Sequence, residues 1–222
     1  MKTLKVEFHC HSMYSKDSLS RPRKLVEAAR RAGLDRLVIT DHNSIGGAQE
    51  TQRIAPELVI VGEEILTTRG ELLAVFVHEE IPAGLEPREA ISRLRAQGAF
   101  ISVSHPFDLI RNGHWEQHDL LQILPFVDAI EIFNARCMDM RPNLAAQEFA
   151  RKYNMAGTAG SDAHTIREVG RAALRVEAFA DADGLRRVIH AGVLEAQLSS
   201  PFIHLSSRFA VMMKKFGLAG KP

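Results

Sequence analysis

The feature that most constrains the fold is a repeated order: a short apolar run, then His, Asp or Glu, then a stretch with helical spacing. The runs are Leu4 to Phe8, "RLVIT" ending at Thr40, "ELVIVG" (57–62), "LLAVFV" (72–77), "AFISVS" (99–104), "DAIEIF" (128–133), "MAGTAG" (155–160) and "AALRV" (172–176). Most are short and apolar throughout, which fits strands buried on both faces. Between the first two, "RPRKLVEAARRAGL" has Ser20 before it as an N-cap candidate, Pro22 in the first turn, apolar residues at helical spacing and Gly33 as a stop. Helices are read in the same way at 87–98, 141–154 and 181–192. Strands alternating with helices imply a mostly parallel sheet. Eight candidate strands in 222 residues, with no GxGxxG after the first, favour a closed or nearly closed barrel over an open doubly wound sheet.

The residues that follow the runs carry the chemistry. His9 and His11 follow the first, Asp41 and His42 the second, Glu63 and Glu64 the third, and His105 the fifth. Asn134 and Arg136 follow the sixth, and Asp162 and His164 the seventh. In a parallel α/β barrel these positions converge on the C-terminal mouth. Imidazole and carboxylate are the donor types that suit Zn, Mn or Fe. Residues spaced i, i+2 on extended chain point the same way, so His9 pairs with His11 and Asp162 with His164. Cys10 then faces the other side and reads as a small packed hydrophobe. Each position has an ordinary explanation when taken singly: a hydrogen-bonded histidine, a solvated glutamate, or an Asp162 that caps the next helix. Their recurrence at consecutive strand ends favours one polynuclear site. His78, His114, His118, His190 and His204 sit in polar or helical contexts and read as structural or exposed.

Charge and cysteine usage narrow the setting. The 28 Lys and Arg against 27 Asp and Glu leave a net charge of +1, which speaks against tight binding of long nucleic acid through a global basic field. Cys10 and Cys137 form no CxxC and no disulfide framework, as expected in a reducing compartment. The N-terminus lacks the apolar core of a signal peptide and no stretch approaches the ~20 apolar residues of a membrane span, so the expected location is cytoplasmic, with no membrane partner.

With these residues in view, the chain resembles the PHP (polymerase and histidinol phosphatase) family of metal-dependent phosphoesterases. The resemblance runs through "VEFHCHSMYSKDS", "RLVITDHNSIGGAQE", "IVGEEILTTRGELLAVFV", "ISVSHPFD", "EIFNAR" and "TAGSDAHTIREVG", or about residues 4 to 175. It implies a distorted (β/α)7 TIM-like barrel with two or three divalent ions at its mouth. By the same resemblance, His9, His11, Glu64 and Asp162 are the ligands of one ion, and Glu64 bridges to a second that also takes His105. Asp17, His42 and His164 are the ligands of a third. Many members have a histidine just before the fourth strand, where this chain has Glu71. Glu71 is either a carboxylate ligand of the second ion or a solvated side chain.

The implied activity is hydrolysis of a phosphate ester by a metal-activated hydroxide, with no protein nucleophile. The expected substrate is a small phosphomonoester, a nucleotide or the 5′ end of a short oligonucleotide, and histidinol phosphatase is an alternative within the family. Arg136, Arg167 and Asn134 are the expected substrate-binding residues, the arginines through bidentate hydrogen bonds to phosphate. A non-catalytic metal-binding module is the alternative from another class. The expected organisation is a single domain over residues 1–200, with residues 201–222 forming a C-terminal amphipathic helix packed on it. That helix places Phe202, Leu205, Phe209, Met212 or Met213, and Phe216 at helical spacing.

Overall fold

A computed structural model describes residues 2–218 of the chain; residues 219–222 of the expected C-terminal segment lie outside the described residues. The elements follow the alternation read from the sequence. They run β1 (Thr3–Glu7), α1 (Pro22–Arg31), β2 (Arg36–Ile39), α2 (Gly46–Ile54), β3 (Val59–Leu66), β4 (Glu71–Val75), α3 (Pro87–Ala96), β5 (Phe100–Val103) and α4 (Gln117–Ile123). The second half is β6 (Ala129–Asn134), α5 (Arg141–Lys152), β7 (Ala156–Gly160), β8 (Ala172–Glu177), α6 (Ala182–Val188), β9 (Val193–Ala196) and α7 (Ile203–Lys215).

The strands form one sheet in the order β7-β6-β5-β4-β3-β2-β1-β8-β9. β1 to β7 curl into a barrel, because the chain just past β1 bonds to β7 and the chain after it. Phe8 N donates to Ala159 O at 3.0 Å, Asp162 N to His9 O at 2.8 Å and His11 N to Ala163 O at 2.9 Å. Gly160 permits this seam, since a Cβ there would collide with His9 Cβ and lie 2.7 Å from His9 N. Successive side chains alternate across the barrel wall. Leu37, Ile39, Val59 and Val61 pack outward against the helices, and Val38, Ile60, Phe100 and Phe133 pack in the interior. Cys10 belongs to the outer layer, so His9 and His11 on either side of it turn inward.

Three details depart from the sequence reading. β4 pairs antiparallel with both β3 and β5, and β3 continues to Leu66 because the two form a hairpin. Glu63 and Glu64 therefore lie within a strand, and Glu71, the first residue of β4, arrives at the mouth before its apolar run. α1 begins at an N-cap of Arg21 with no side-chain cap, while the Ser20 hydroxyl donates to His164 O at 3.2 Å. α7 forms within the expected segment, yet it buries only Ala210. Most of its large apolar residues are exposed, Leu205 at 63% and Phe209 at 51%, as are Phe202 and Phe216 at its two ends. Polar bonds anchor it instead: Lys214 Nζ donates to Met13 O at 2.6 Å and to Ser15 O, and Arg136 Nη2 to Ser207 Oγ at 2.8 Å. Among the described residues no helix is long and apolar enough to cross a membrane.

Candidate metal centre

Every residue expected as a ligand reaches one basin at the mouth of the barrel. His9 Nε2 stands 3.1 Å from His11 Nε2, 3.3 Å from Glu64 Oε1 and 3.6 Å from Asp162 Oδ1. His11 Nε2 is 3.1 Å from Asp162 Oδ1 and 3.4 Å from Glu64 Oε2. His105 Nε2 lies 3.1 Å from Glu64 Oε1 and 3.4 Å from Glu71 Oε2. His42 spans two carboxylates, with Nδ1 2.9 Å from Glu64 Oε2 and Nε2 3.5 Å from Asp17 Oδ2. His164 Nε2 is 3.0 Å from the same Asp17 oxygen. Glu64 is the common member, touching four of the five imidazoles.

Outer partners fix how the rings point. A ligating histidine commonly donates its second ring N–H to an acceptor, which aims the other nitrogen. His9 Nδ1 meets Glu131 Oε1 at 3.0 Å, and His164 Nδ1 meets the Asp162 carbonyl at 2.8 Å. His11 Nδ1 meets Ser15 Oγ at 2.9 Å, and that hydroxyl in turn donates to Asp41 Oδ1 at 2.7 Å. In all three rings Nε2 is left for the basin. Asp41, a strand-end carboxylate, thus serves the loop: it also accepts from Ser12 N at 2.7 Å and Ser12 Oγ at 2.5 Å. Asp162 is held at φ +52°, in the left-handed region uncommon for a residue with a Cβ. Such strain is kept where the surrounding structure enforces it.

Burial and mutual charge set the protonation pattern. Burial raises carboxylate pKa values, but His9 and His42 beside Glu64, and Arg111 and His9 beside Asp162, hold both well below the usual range. The bonds from His164 and His42 do the same for Asp17. Burial lowers His9 and His42, and the surrounding carboxylates outweigh it, so both are raised well above an ordinary imidazole. His11 goes the other way, to about 3, through burial and repulsion from His164 and His42. Glu71 is raised by burial and by the Glu64 charge.

These residues fit a metal. Asp17 Oδ1, Glu64 Oε2 and Asp162 Oδ1 are buried carboxylate oxygens that receive no aligned hydrogen bond among the described residues. The imidazole nitrogens 2.9 Å from Glu64 Oε2 and 3.1 Å from Asp162 Oδ1 lie out of line for an N–H bond. Such an arrangement is costly unless a cation satisfies the oxygens. Three groups offer ligand atoms within 4.8 Å of one another: His9, His11 and Glu64; His42, Glu64 and Glu71; His11, His42 and His164. These groupings overlap the expected sets without reproducing them, since His42 stands with Glu71 as well as with His164.

The expected substrate residues are placed differently from one another. Arg136 is buried and paired with Glu168 at 3.0 Å, in addition to its bond to Ser207. Asn134 Nδ2 donates to Glu131 at 3.2 Å and Asp162 at 3.1 Å. Arg167 is exposed. Sequence reading missed two residues. Glu131 sits in mid-strand, where the signal was one charge at an inward position of "AIEIF". Arg111 lies in the loop after β5, where "LIRNG" reads as an ordinary turn; its Nη1 is 2.5 Å from Asp162 Oδ2 and its Nε 3.2 Å from Asp108. The basin opens into a cavity of about 580 Å³ whose walls include Lys16, Arg111, Arg136, His204 and Arg208.

Comparisons with known proteins bear on the family and the fold. The family model described as PHP domain matches residues 7–117, and one described as PHP-associated matches residues 140–194. An uncharacterized protein of Methanocaldococcus jannaschii is 41% identical over 175 residues, 78% of this chain and 70% of that protein. A protein of Haemophilus influenzae named 5′-3′ exoribonuclease is 34% identical over 104 residues, 42% of this chain and 38% of that one. Among solved structures, a two-domain protein of Bacteroides vulgatus containing a predicted PHP-like metal-dependent phosphoesterase superposes with a TM-score of 0.72 at 22% identity. That match covers 88% of this chain and 65% of the Bacteroides chain.

Proposed function

The chain belongs to the PHP domain family, and on that premise we propose that it hydrolyses phosphate esters with two or three divalent ions held at the mouth of its barrel. The proposed ligands are His9, His11, Glu64 and Asp162 for one ion, Glu64, His105 and Glu71 for a second, and Asp17, His42 and His164 for a third. Zn, Mn or Fe suits this mixture of imidazole and carboxylate. Such ions, when bound, lower the pKa of water towards about 7 and neutralise charge on a phosphoryl group. The rest of the work falls to the chain. Glu131, Ser15 and the Asp162 carbonyl would accept hydrogen bonds from the Nδ1–H groups of His9, His11 and His164, which aims each Nε2 into the basin. Arg111 grips a phosphoryl oxygen at the edge of the basin. Arg111 is paired with Asp162 and Asp108 through Nη1 and Nε but keeps Nη2 without a partner among the described residues, whereas both terminal nitrogens of Arg136 are taken by Glu168 and Ser207, and Arg167 is exposed.

The observation that carries this reading is the convergence of overlapping ligand groups on unpartnered carboxylate oxygens beside an open cavity. The substrate we propose is a small phosphomonoester, a nucleotide or the 5′ end of a short oligonucleotide. The similarity to the Haemophilus exoribonuclease supports the last of these. Purified protein supplied with Mn or Zn is expected to hydrolyse p-nitrophenyl phosphate or its bis ester, and His9→Ala and Asp162→Asn to lose at least about 100-fold of that rate. Equal turnover in the parent and both variants would instead indicate a non-catalytic metal-binding module.

A further inference from the structure

α7 lies beyond both family-matched segments, the second of which ends at residue 194, yet it forms a wall of the cavity above the basin. His204, Ser207 and Arg208 all line that cavity from this one helix. The helix is tied to the catalytic mouth at two points. Ser207 accepts from Arg136, and Lys214 reaches the carbonyls of Met13 and Ser15 in the loop that carries Asp17. These bonds hold the cavity-facing side of α7 against the site while its large apolar residues stay outside.

Two polar atoms on the cavity wall have no partner. His204 Nε2 and Arg111 Nη2 are both buried without a hydrogen bond among the described residues. Leaving a buried polar atom unpaired is unfavourable, so two of them on one cavity point to a group that arrives from outside. Charge indicates what that group is. The floor carries Asp17 and Glu71, which belong to the proposed ion sites; the walls carry Lys16, Arg111, Arg136 and Arg208 against one acid, Asp108, which pairs with Arg111. A rim of cations above a floor of metal-type carboxylates suits an anion that docks on top of the ions. Arg208 and Lys16 are exposed and reach the cavity from opposite parts of the chain.

We propose that α7 is part of the substrate site, with His204 and Arg208 joining Arg111 in binding a phosphate group of the ester. This inference rests on the phosphoesterase reading and adds to it a specificity-determining element outside the family-matched chain. His204, which reads from sequence as structural or exposed, becomes a substrate contact, and Arg208 a second cation on the phosphate.

The test uses the full chain loaded with Mn, with inorganic phosphate as the probe in titration calorimetry. Arg208→Gln and His204→Ala are each expected to weaken phosphate binding about tenfold, the loss of one hydrogen bond to a charged group, at unchanged metal content. Phe209→Ser, on the exposed face, is the control and is expected to bind phosphate like the parent. Arg208 is exposed, so its variant leaves the core intact even where His204→Ala lowers stability. Phosphate affinity within twofold of the parent in Arg208→Gln, or no phosphate binding by the parent, would overturn the inference. A parent that binds phosphate through α7 but turns over no phosphoester would sink the catalytic reading alone; turnover with α7 variants indifferent to phosphate would sink only this one.

Discussion

Glu63 and Glu64 are neighbours in β3 with opposite fates, because successive strand side chains face opposite sides of the wall. Glu64 enters the basin as a carboxylate, whereas Glu63 turns away and accepts from Ile81 N at 3.0 Å. Burial, with little to oppose it but that one backbone bond, pushes Glu63 up to about 8. A carboxyl whose folded pKa is raised contributes stability that is complete below its unfolded value, near 4.5, and is lost as pH rises through about 8. The slope inside that window is about 1.4 kcal/mol per pH unit. Denaturant unfolding of metal-free protein between pH 5 and 9 should therefore show Glu63→Gln losing less stability than the parent as pH rises. Elemental analysis should find its metal content unchanged and that of Glu64→Gln reduced by at least one ion. A Glu63→Gln curve parallel to the parent's would refute the protonated assignment. The sequence made Glu63 and Glu64 visible together, since both follow an apolar run, but only the register of the strand separates their sides. Glu131 was hidden by the opposite circumstance, a charge within a run that otherwise reads as plain strand.

At the scale of elements, the direction of β4 decides how the proposed second ion site would be built. A parallel strand brings its C-terminal end to the mouth, and an antiparallel one brings its first residue. Glu71 reaches the basin for that reason, and Gly113 makes room for it, since a Cβ at 113 would collide with the Glu71 carboxylate. The alternation of strands and helices shows no sign of this reversal; the short "TTRG" link between β3 and β4, too short for a helical crossover, is where it is encoded. Glu71→Ala is expected to lower the number of Mn ions bound by one, and Glu71→His to restore binding with preference moved from Mn towards Zn, because imidazole is the softer donor. Metal analysis after dialysis against each ion distinguishes these outcomes, and full Mn occupancy in Glu71→Ala would show the side chain to be solvated instead. β9 (Val193–Ala196) escaped the sequence reading because its half-exposed "VLEA" carries too little apolar character to stand out.

Across the whole molecule, the proposed ligands come from β3, β4 and the segments after β1, β2, β5 and β7, so bound ions would tie six parts of the chain together. Free energy of binding to the folded state adds to its stability. Saturating Mn or Zn, at about 100 times its dissociation constant, is expected to add about 2.7 kcal/mol, which raises the melting temperature by about 5–10 °C for a domain of this size. Excess chelator should reverse the shift in a thermal scan, and a melting temperature indifferent to both would count against ions held by this many elements. A closed or nearly closed barrel was legible from the number and spacing of apolar runs. The seam that closes it was not, because the join between the segments carrying His9 and Asp162 depends on backbone bonds and on the missing side chain at Gly160. That seam also sets an order of events during synthesis. The first ligand-bearing segment leaves the ribosome long before its closing partner exists, and contacts between such distant stretches form late. His9 and His11 must wait for residues 160 to 164 before the first and third of the proposed ions can find their full sets of donors, so a chain cut short within α5 would be unable to assemble the whole centre, and uptake of those ions would mark the moment at which the first and seventh strands have met.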